Sequence, residues 1–135
     1  MKLLIDASAL VPLVVERDQW YANIQRILAT VRPQRPVLCT TNWTLYEALA
    51  ISQRFGHARA EALFRLVSTQ FHLVPVSPDI EIEALRRFLR YGDKTASVVD
   101  HANVLTAVGE RCAAVVSFDD DFVPLIASAG LRLLR

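Results

Sequence analysis

The fold of this chain is constrained most strongly by its amino-terminal segment, MKLLIDASAL. Leu3, Leu4 and Ile5 form a continuous apolar run, which is typical of a parallel strand buried on both faces. The run ends at Asp6, and small residues then lead into a second apolar segment. This order predicts that Asp6 lies at the carboxyl end of a central strand, where open α/β sheets bind ligands. The alternative is that Asp6 or Ser8 only caps the following helix.

Short apolar segments alternate with amphipathic segments along the rest of the chain. The predicted strands cover residues 2–6, 37–40, 71–76, 113–117 and 131–134. The predicted helices cover about residues 8–14, 20–30, 42–55, 58–69, 78–91 and 98–110, with a loop and a short helix within 119–129. The fifth of these helices is expected to end at Tyr91-Gly92-Asp93. This alternation predicts an α/β fold with a mainly parallel sheet and helices on both faces.

Composition narrows the class of protein further. The 135 residues suit one domain, and 53% of them are apolar. This apolar surplus predicts a surface patch that a partner covers, for which a second copy of the chain is one candidate. No segment approaches the roughly 18 apolar residues of a membrane span. Cys39 and Cys112 are far apart and lack metal-ligand spacing, so we expect two buried thiols in a reducing cytoplasm.

Four acids lie at the ends of apolar segments rather than on charged faces. Asp6 and Asp119 follow predicted strands, whereas Glu47 and Asp100 lie in early turns of predicted helices. If the sheet is parallel, all four come from the same edge and can converge. Crowded carboxylates repel one another, and a divalent cation removes that penalty. The set of four, more than any single member, therefore predicts a chemical site.

Most of these acids also have a local alternative. Glu47 follows Thr44, and Asp100 follows Ser97, by the three residues of a helix capping box. Thr41 or Asn42 also suits the N-cap of the helix that carries Glu47, and capping by Asn42 would place Glu47 in the second turn. The run of three aspartates near the carboxyl terminus could instead form a solvated turn that caps the last helix. Alternation directs the middle one, at position 120, away from its neighbours.

These segments together resemble the PIN-domain family, and within it the small single-domain VapC-type toxins. The matching segments are LIDASA at 4–9, TTNWTLYEAL at 40–49, SVVDHA at 97–102 and SFDDDF at 117–122. They occur in the family's order, and the resemblance covers essentially the whole chain. It implies one PIN-like domain over residues 1–135, with a three-layer α/β/α fold and a central, mainly parallel sheet.

The resemblance also implies a function. A PIN domain of this kind is a Mg²⁺- or Mn²⁺-dependent endoribonuclease, with catalytic acids here at Asp6, Glu47, Asp100 and Asp119. The implied metal ligands are Asp6, Asp100 and Asp119, with Asp121 as a helper or alternative to Asp119. Glu47 would orient the attacking water or hold a second metal. The resemblance further implies a homodimer that is silenced by a cognate antitoxin.

RNA binding is expected to come from arginines, although the sequence does not choose among them. The basic candidates form two groups, namely Arg54 with Arg59, and Arg86, Arg87 and Arg90 with Lys94.

Ser8 and Thr41 are candidates to hold the carboxylates of the acidic site by hydrogen bonds, or to act as ordinary helix caps.

Three other classes of protein fit the sequence less well. A haloacid-dehalogenase-type phosphotransferase needs a second Asp two residues after the first, where this chain has Ser8. A receiver-like domain needs adjacent acids at the first strand and a late lysine, but the only lysines are Lys2 and Lys94. A catalytically degenerate PIN-like protein-binding module would have lost one of the acids, and none is evidently lost. Saturable Mn²⁺ binding separates this last class from the nuclease.

Overall fold

The computed structural model describes residues 1–92 and 95–135, which build a five-stranded sheet with helices on both faces. The strands are β1 (Lys2–Ile5), β2 (Val37–Thr41), β3 (His72–Val74), β4 (Ala114–Val116) and β5 (Arg132–Leu134). The helices are α1 (Ala7–Leu10), α2 (Tyr21–Val31), α3 (Asn42–Gln53), α4 (His57–Gln70), α5 (Pro78–Arg90), α6 (Val98–Gly109) and α7 (Phe122–Ala129). The strand order is β3-β2-β1-β4-β5, and every pairing is parallel, which confirms the α/β prediction.

The continuous apolar run of β1 is explained by its position in the middle of the sheet. Leu3 and Ile5 pack on one face of the sheet, against a core to which α1 to α4 contribute. Leu4 points to the opposite face, where it contacts residues of α6 and α7. Successive side chains of a strand face opposite sides, so a strand covered on both sides has no polar face. The predicted three-layer α/β/α arrangement is therefore confirmed.

One predicted element differs from the structure because of proline. The helix expected over residues 8–14 ends at Leu10 and continues as a single 3-10 turn, Val11–Leu13. Pro12 has no N–H, so it cannot continue the α-helical hydrogen-bond ladder. The strand expected within residues 71–76, broken or ended at Pro75, covers His72–Val74 and ends before that proline, as expected. The helix α5 ends at Arg90 rather than at 91–93, and Asp93 lies outside the described residues.

An apolar patch is left uncovered on α5. Ala84 is the one buried residue of this helix, which packs against α6. Ile82, Leu85, Phe88 and Leu89 are all exposed, and Leu89 is 76% exposed. This helix accounts for part of the apolar surplus in the composition.

Both cysteines are buried free thiols, as expected. Across the described ranges, no helix has the length and apolar character needed to cross a membrane.

The central position of β1 predicts a large stability loss when its side chains are shortened. Leu4 is 0% exposed, so we expect Leu4→Ala to lower the free energy of unfolding by about 3 kcal/mol. The matched control is Val108→Ala on α6, where the valine is 50% exposed and its loss should cost less than about 1 kcal/mol. Urea unfolding of both variants measures the difference. Equal losses in the two variants would contradict the central placement of β1.

Candidate active site at the carboxyl edge of the sheet

The four predicted acids all belong to elements that meet at the carboxyl edge of the sheet. Asp6 follows β1 directly and Asp119 follows β4 after two residues. Glu47 lies on α3, which begins where β2 ends, and Asp100 lies in the first turn of α6. A helix that precedes a parallel strand starts at that strand's carboxyl edge, which is why α6 also delivers its acid there.

Asp6 is buried and held by a dense set of hydrogen bonds. Its Oδ2 accepts hydrogen bonds from the hydroxyls of Ser8 at 2.8 Å and Ser117 at 3.0 Å. Each of these hydroxyls in turn accepts a backbone N–H, from Phe118 and Asp119 respectively, which leaves its own proton free to point at Asp6. Burial raises the pKa of Asp6, while the hydrogen bonds from Ser8 and Ser117 oppose the rise.

The capping and site interpretations of Asp6 are compatible. Asp6 is the N-cap of α1, and its Oδ2 also accepts the backbone N–H of Ser8 at 3.3 Å. The predicted role of Ser8 as a hydrogen-bond donor to the carboxylate is therefore present in the structure, together with capping by Asp6. The helix N-terminus adds a favourable field for a negative charge.

Asp100 likewise serves as a cap and faces other acids. The capping box with Ser97 is formed: Ser97 N donates to Asp100 Oδ2 at 2.8 Å, and Asp100 N donates to Ser97 Oγ at 3.1 Å. Burial, and then the negative charges of Asp6 and Asp119, raise the pKa of Asp100 to about 7, although the bonds from Ser97 oppose this. Its carboxyl group is thus close to half protonated near neutral pH in the metal-free protein.

Glu47 does not take part in a capping box. The N-cap of α3 is Thr41, whose Oγ1 accepts the backbone N–H of Thr44 at 3.1 Å, and Glu47 lies in the second turn. The local alternative for Glu47 is therefore wrong. Glu47 is exposed as a residue, but partial removal of water around its carboxyl group raises its pKa, and the charges of Asp6 and Asp119 add to the rise.

The tightest acidic cluster within the described ranges consists of Asp100, Asp119 and Asp121. One carboxylate oxygen from each lies within 4.8 Å of the others. The loop holds its own shape, because Asp119 Oδ1 accepts the backbone N–H of Asp121 at 2.9 Å. Thr95 donates its hydroxyl proton to Asp121 Oδ1. Both candidates for the fourth acid therefore lie in one cluster with Asp100.

The middle aspartate of the run behaves as alternation predicts. Asp120 turns away from the cluster, with an 87% exposed side chain, and forms an ion pair with Arg135. It makes a natural control for substitutions in the site, because it differs from its neighbours in direction and not in chemistry.

The donor set suits a hard divalent cation. The cluster offers carboxylate oxygens, and no Cys or His of the described residues joins it. Mg²⁺ and Mn²⁺ prefer such oxygen ligands, and Mg²⁺ is commonly held by one or two carboxylates together with water and phosphate oxygens. Burial raises the pKa of Asp6, Glu47 and Asp100, and neighbouring carboxylates add to the rise at Glu47 and Asp100. A cation among these groups would favour their charged forms. These residues fit a divalent metal.

Sequence reasoning missed two polar residues of the site. Ser117, the last residue before the Phe118-Asp119 turn, donates to Asp6. Asn103, which is 0% exposed on α6, donates to Asp6 Oδ1 through Nδ2 at 3.3 Å. A signal for Asn103 was present, because it is an uncharged polar residue three positions after Asp100, on the same face of an otherwise apolar helix.

One arginine of α5 lies near α6, the helix that carries Asp100. Burial and then the charge of Arg87 lower the pKa of His101, the residue next to Asp100. Arg86 and Arg87 both pair with Glu83, at 2.7 Å and 3.0 Å, which offsets part of their charge. Lys94, which the sequence grouped with these arginines, lies outside the described residues.

Comparisons with known proteins agree with this architecture. The chain is similar to VapC20 of Mycobacterium tuberculosis, described as a sarcin–ricin-loop-cleaving toxin, with 24% identity, coverage of 96% of this chain and 95% of that one, and a TM-score of 0.81. It is also similar to VapBC2 of Rickettsia felis, solved bound to a DNA fragment from their promoter, with 11% identity, coverage of 98% and 97%, and a TM-score of 0.69. These similarities show a shared fold.

A third solved structure shares the fold, and a family model matches the sequence. PAE2754 of Pyrobaculum aerophilum has 22% identity and a TM-score of 0.61, over 99% of this chain and 84% of that one. No curated protein matches this chain in a sequence comparison. The family model described as PIN domain matches residues 3–125. The match spans nearly the whole chain and agrees with the resemblance noted in its motifs, so this protein belongs to the PIN domain family.

Proposed function

We propose that this protein is a metal-dependent endoribonuclease that hydrolyses RNA phosphodiester bonds and acts in the cytoplasm as the toxin of a toxin–antitoxin pair. The observation that carries the proposal is the convergence of aspartates from β1, α6 and the loop after β4 at one edge of a PIN fold. VapC20, whose fold is similar, is described as a sarcin–ricin-loop-cleaving toxin.

Each acid has a role in the proposed reaction. Asp100 and Asp119, together with Asp6, whose charge acts on Asp100, would hold Mg²⁺ or Mn²⁺. Asp121 belongs to the same cluster as Asp100 and Asp119 and could assist or replace Asp119. When bound, the cation lowers the pKa of water and neutralises charge that develops on the phosphate oxygens. Glu47 orients the attacking water, and its raised pKa makes its carboxylate a better proton acceptor.

The reaction needs no side-chain nucleophile. Water attacks phosphorus and the bond to the 3′ oxygen breaks, which leaves a 5′-phosphate and a 3′-hydroxyl. Cys39 and Cys112 are both buried, so neither thiol is presented to a substrate. Ser8 and Ser117 are committed to Asp6 through their hydroxyl protons, which suits them to holding a carboxylate and not to attacking phosphorus.

Cleavage of a mixed pool of transfer and ribosomal RNA tests the proposal. The purified protein is assayed with Mg²⁺, with Mn²⁺ and with EDTA, beside Asp6→Asn and the control Asp120→Asn. We expect cleavage that EDTA abolishes, that Asp6→Asn lowers at least about 100-fold, and that Asp120→Asn leaves near the wild-type rate. Cleavage that persists in EDTA would contradict the metal-dependent mechanism. Absence of both cleavage and saturable Mn²⁺ binding would favour the degenerate PIN-like binding module.

We also propose that a cognate antitoxin protein binds this chain. A groove between α3 and α4 is available to a partner, with apolar and charged residues along its walls. Phe64, 57% exposed, is its largest apolar side chain. The other residues that line this groove are Leu49, Gln53, His57, Ala60, Glu61, Arg65, Ser68 and Thr69.

The exposed face of α5 supports a homodimer as the second proposed assembly. Covering Ile82, Leu85 and Leu89 with a second copy would remove a contiguous apolar patch from water. We therefore expect wild-type protein to sediment as a dimer and Leu89→Asp to sediment as a monomer, because a charge would be buried unpaired in the interface. Phe64→Asp, in the α3–α4 groove, is the control and should stay dimeric. A monomeric wild type would overturn this proposal.

A further inference from the structure

The side chain of Asn103 lies where three acid-bearing elements meet. It belongs to α6, the helix of Asp100, and its Nδ2 donates to Asp6 Oδ1 at 3.3 Å. Its Oδ1 accepts the hydroxyl proton of Thr44 on α3, the helix of Glu47, at 2.8 Å. The amide is fully buried, and its partners lie 59 and 97 residues away along the chain. One side chain therefore connects the three elements that deliver Asp6, Glu47 and Asp100.

The two oxygens of Asp6 are not equivalent. Oδ2 accepts hydrogen bonds from the Ser8 hydroxyl, the Ser117 hydroxyl and the Ser8 backbone N–H, which saturates it. Oδ1 accepts a single bond, from Asn103. A carboxylate oxygen offers about two acceptor sites, so Oδ1 is the atom of Asp6 with a position left for another ligand.

We propose that Asn103 is a positioning residue, which holds Oδ1 of Asp6 in the orientation that binds the divalent cation of the active site. This inference rests on the proposed function, because it assumes that Asp6 is a metal ligand. Groups that orient a ligating carboxylate act on metal affinity as well as on geometry.

A neutral amide suits this task better than the alternatives. A lysine or arginine at the same place would neutralise Asp6 and oppose cation binding. An aspartate would have no N–H to donate to Asp6 and would add to the repulsion. The orientation of the amide is set by its surroundings. The Asp6 carboxylate can only accept, so the end of the amide that faces it is Nδ2. The other end is the oxygen, which Thr44 Oγ1 approaches at 2.8 Å and Thr41 Oγ1 at 3.3 Å.

The hydroxyl chain behind Asn103 has a defined direction. The backbone N–H of Thr44 donates to Thr41 Oγ1 at 3.1 Å, and Thr41 Oγ1 lies 3.2 Å from Thr44 Oγ1, to which it can donate. Thr44 then donates to Asn103, and Asn103 donates to Asp6. The N-cap of α3 is thus the start of a chain of donors that ends on the acid after β1, which couples the position of α3 to that of Asp6.

Mn²⁺ binding to the full-length protein, without RNA, tests the inference. Free Mn²⁺ is followed by electron paramagnetic resonance for wild type, Asn103→Leu, Thr44→Val and Thr106→Val. We expect Asn103→Leu to weaken Mn²⁺ affinity about 10- to 100-fold and Thr44→Val to weaken it a few-fold, because the amide then loses its main restraint. Thr106→Val is the matched control, because Thr106 is buried on α6 and its hydroxyl has no hydrogen-bond partner among the described residues. The Mn²⁺ affinity of this variant should equal that of wild type.

Thermal unfolding and kinetics separate positioning from a structural role. Asn103→Leu and Thr44→Val should melt below wild type, because buried polar groups lose their partners, but should remain folded at the assay temperature. In RNA cleavage Asn103→Leu should lower kcat at saturating Mn²⁺ while the KM for RNA stays unchanged. A folded Asn103→Leu protein with wild-type Mn²⁺ affinity overturns the inference. If Asn103→Leu does not fold, Thr44→Val decides, and wild-type affinity in that variant also overturns it. A wild type that binds no Mn²⁺ instead refutes the proposed metal centre itself.

Discussion

Asp100→Asn is expected to make the metal-free protein more stable at pH 8 while abolishing its RNA cleavage. The pKa of Asp100 is raised to about 7 from an unfolded value near 3.8, so folding favours its protonated form. Stability from this group is therefore greatest at low pH and is lost as the pH rises from about 4 to 7. Asparagine mimics the protonated carboxyl group and can still accept the hydrogen bond from Ser97.

The size of this effect follows from the shift. About three units at about 1.4 kcal/mol each set an upper limit of about 4 kcal/mol at pH 8, and we expect a gain of about 2–4 kcal/mol. Urea unfolding in EDTA at pH 5 and pH 8 measures it, and the gain should be smaller at pH 5, where folded Asp100 keeps its proton. Asp120→Asn is the control and should change neither stability nor cleavage. A variant less stable than wild type at pH 8, or one that still cuts RNA, would contradict the assignment of Asp100.

Affinity for the divalent cation is expected to rise about tenfold between pH 6 and pH 8. Metal ligands must be deprotonated, so Asp100, with a pKa of about 7, has to release its proton when the cation binds. For a single group of this pKa, the deprotonated fraction rises about tenfold over these two pH units. Over the same pH range, the affinity for the cation therefore rises while the stability of the metal-free protein falls.

Calorimetric titration with Mn²⁺ in two buffers of different ionisation enthalpy measures both the affinity and the released proton. We expect release of about half a proton at pH 7. Glu110→Gln is the matched control, because Glu110 pairs with Lys2 outside the acidic cluster and has a lowered pKa. That variant should keep the pH dependence of wild type. Affinity that is constant from pH 6 to pH 8 would show that Asp100 is not the linked group.

Much of the fold could be predicted because its signals are local. Leu3, Leu4 and Ile5 are consecutive and apolar, and such a run has a stable place only where both faces of a strand are covered. The position of Asp6 at the strand's end follows from the same run. A parallel sheet then directs every strand end and following helix to one edge, which is why Asp100 and Asp119 could be expected near Asp6 before any contact was known.

The choice between capping and chemistry depended on tertiary structure. Asp100 and Glu47 show the same spacing to a preceding Ser or Thr, yet the capping box forms at Asp100 and not at Glu47. The difference lies in where each helix begins. The strand β2 continues through Thr41, which becomes the N-cap of α3 and moves Glu47 into the second turn.

The remaining details of the site depend on contacts between residues that are distant in the chain. Sequence position favoured Asp119 over Asp121, yet both lie in the cluster of Asp100. Asn103 meets Asp6 across 97 positions. Sequence periodicity could predict that Asp6 and the helix of Asp100 approach the same edge, because strand direction and helix order are encoded locally. Only the packed structure could decide which oxygen of Asp6 is occupied and which is left for a ligand, because hydrogen-bond partners are chosen by distances of a few tenths of an ångström that no local pattern encodes.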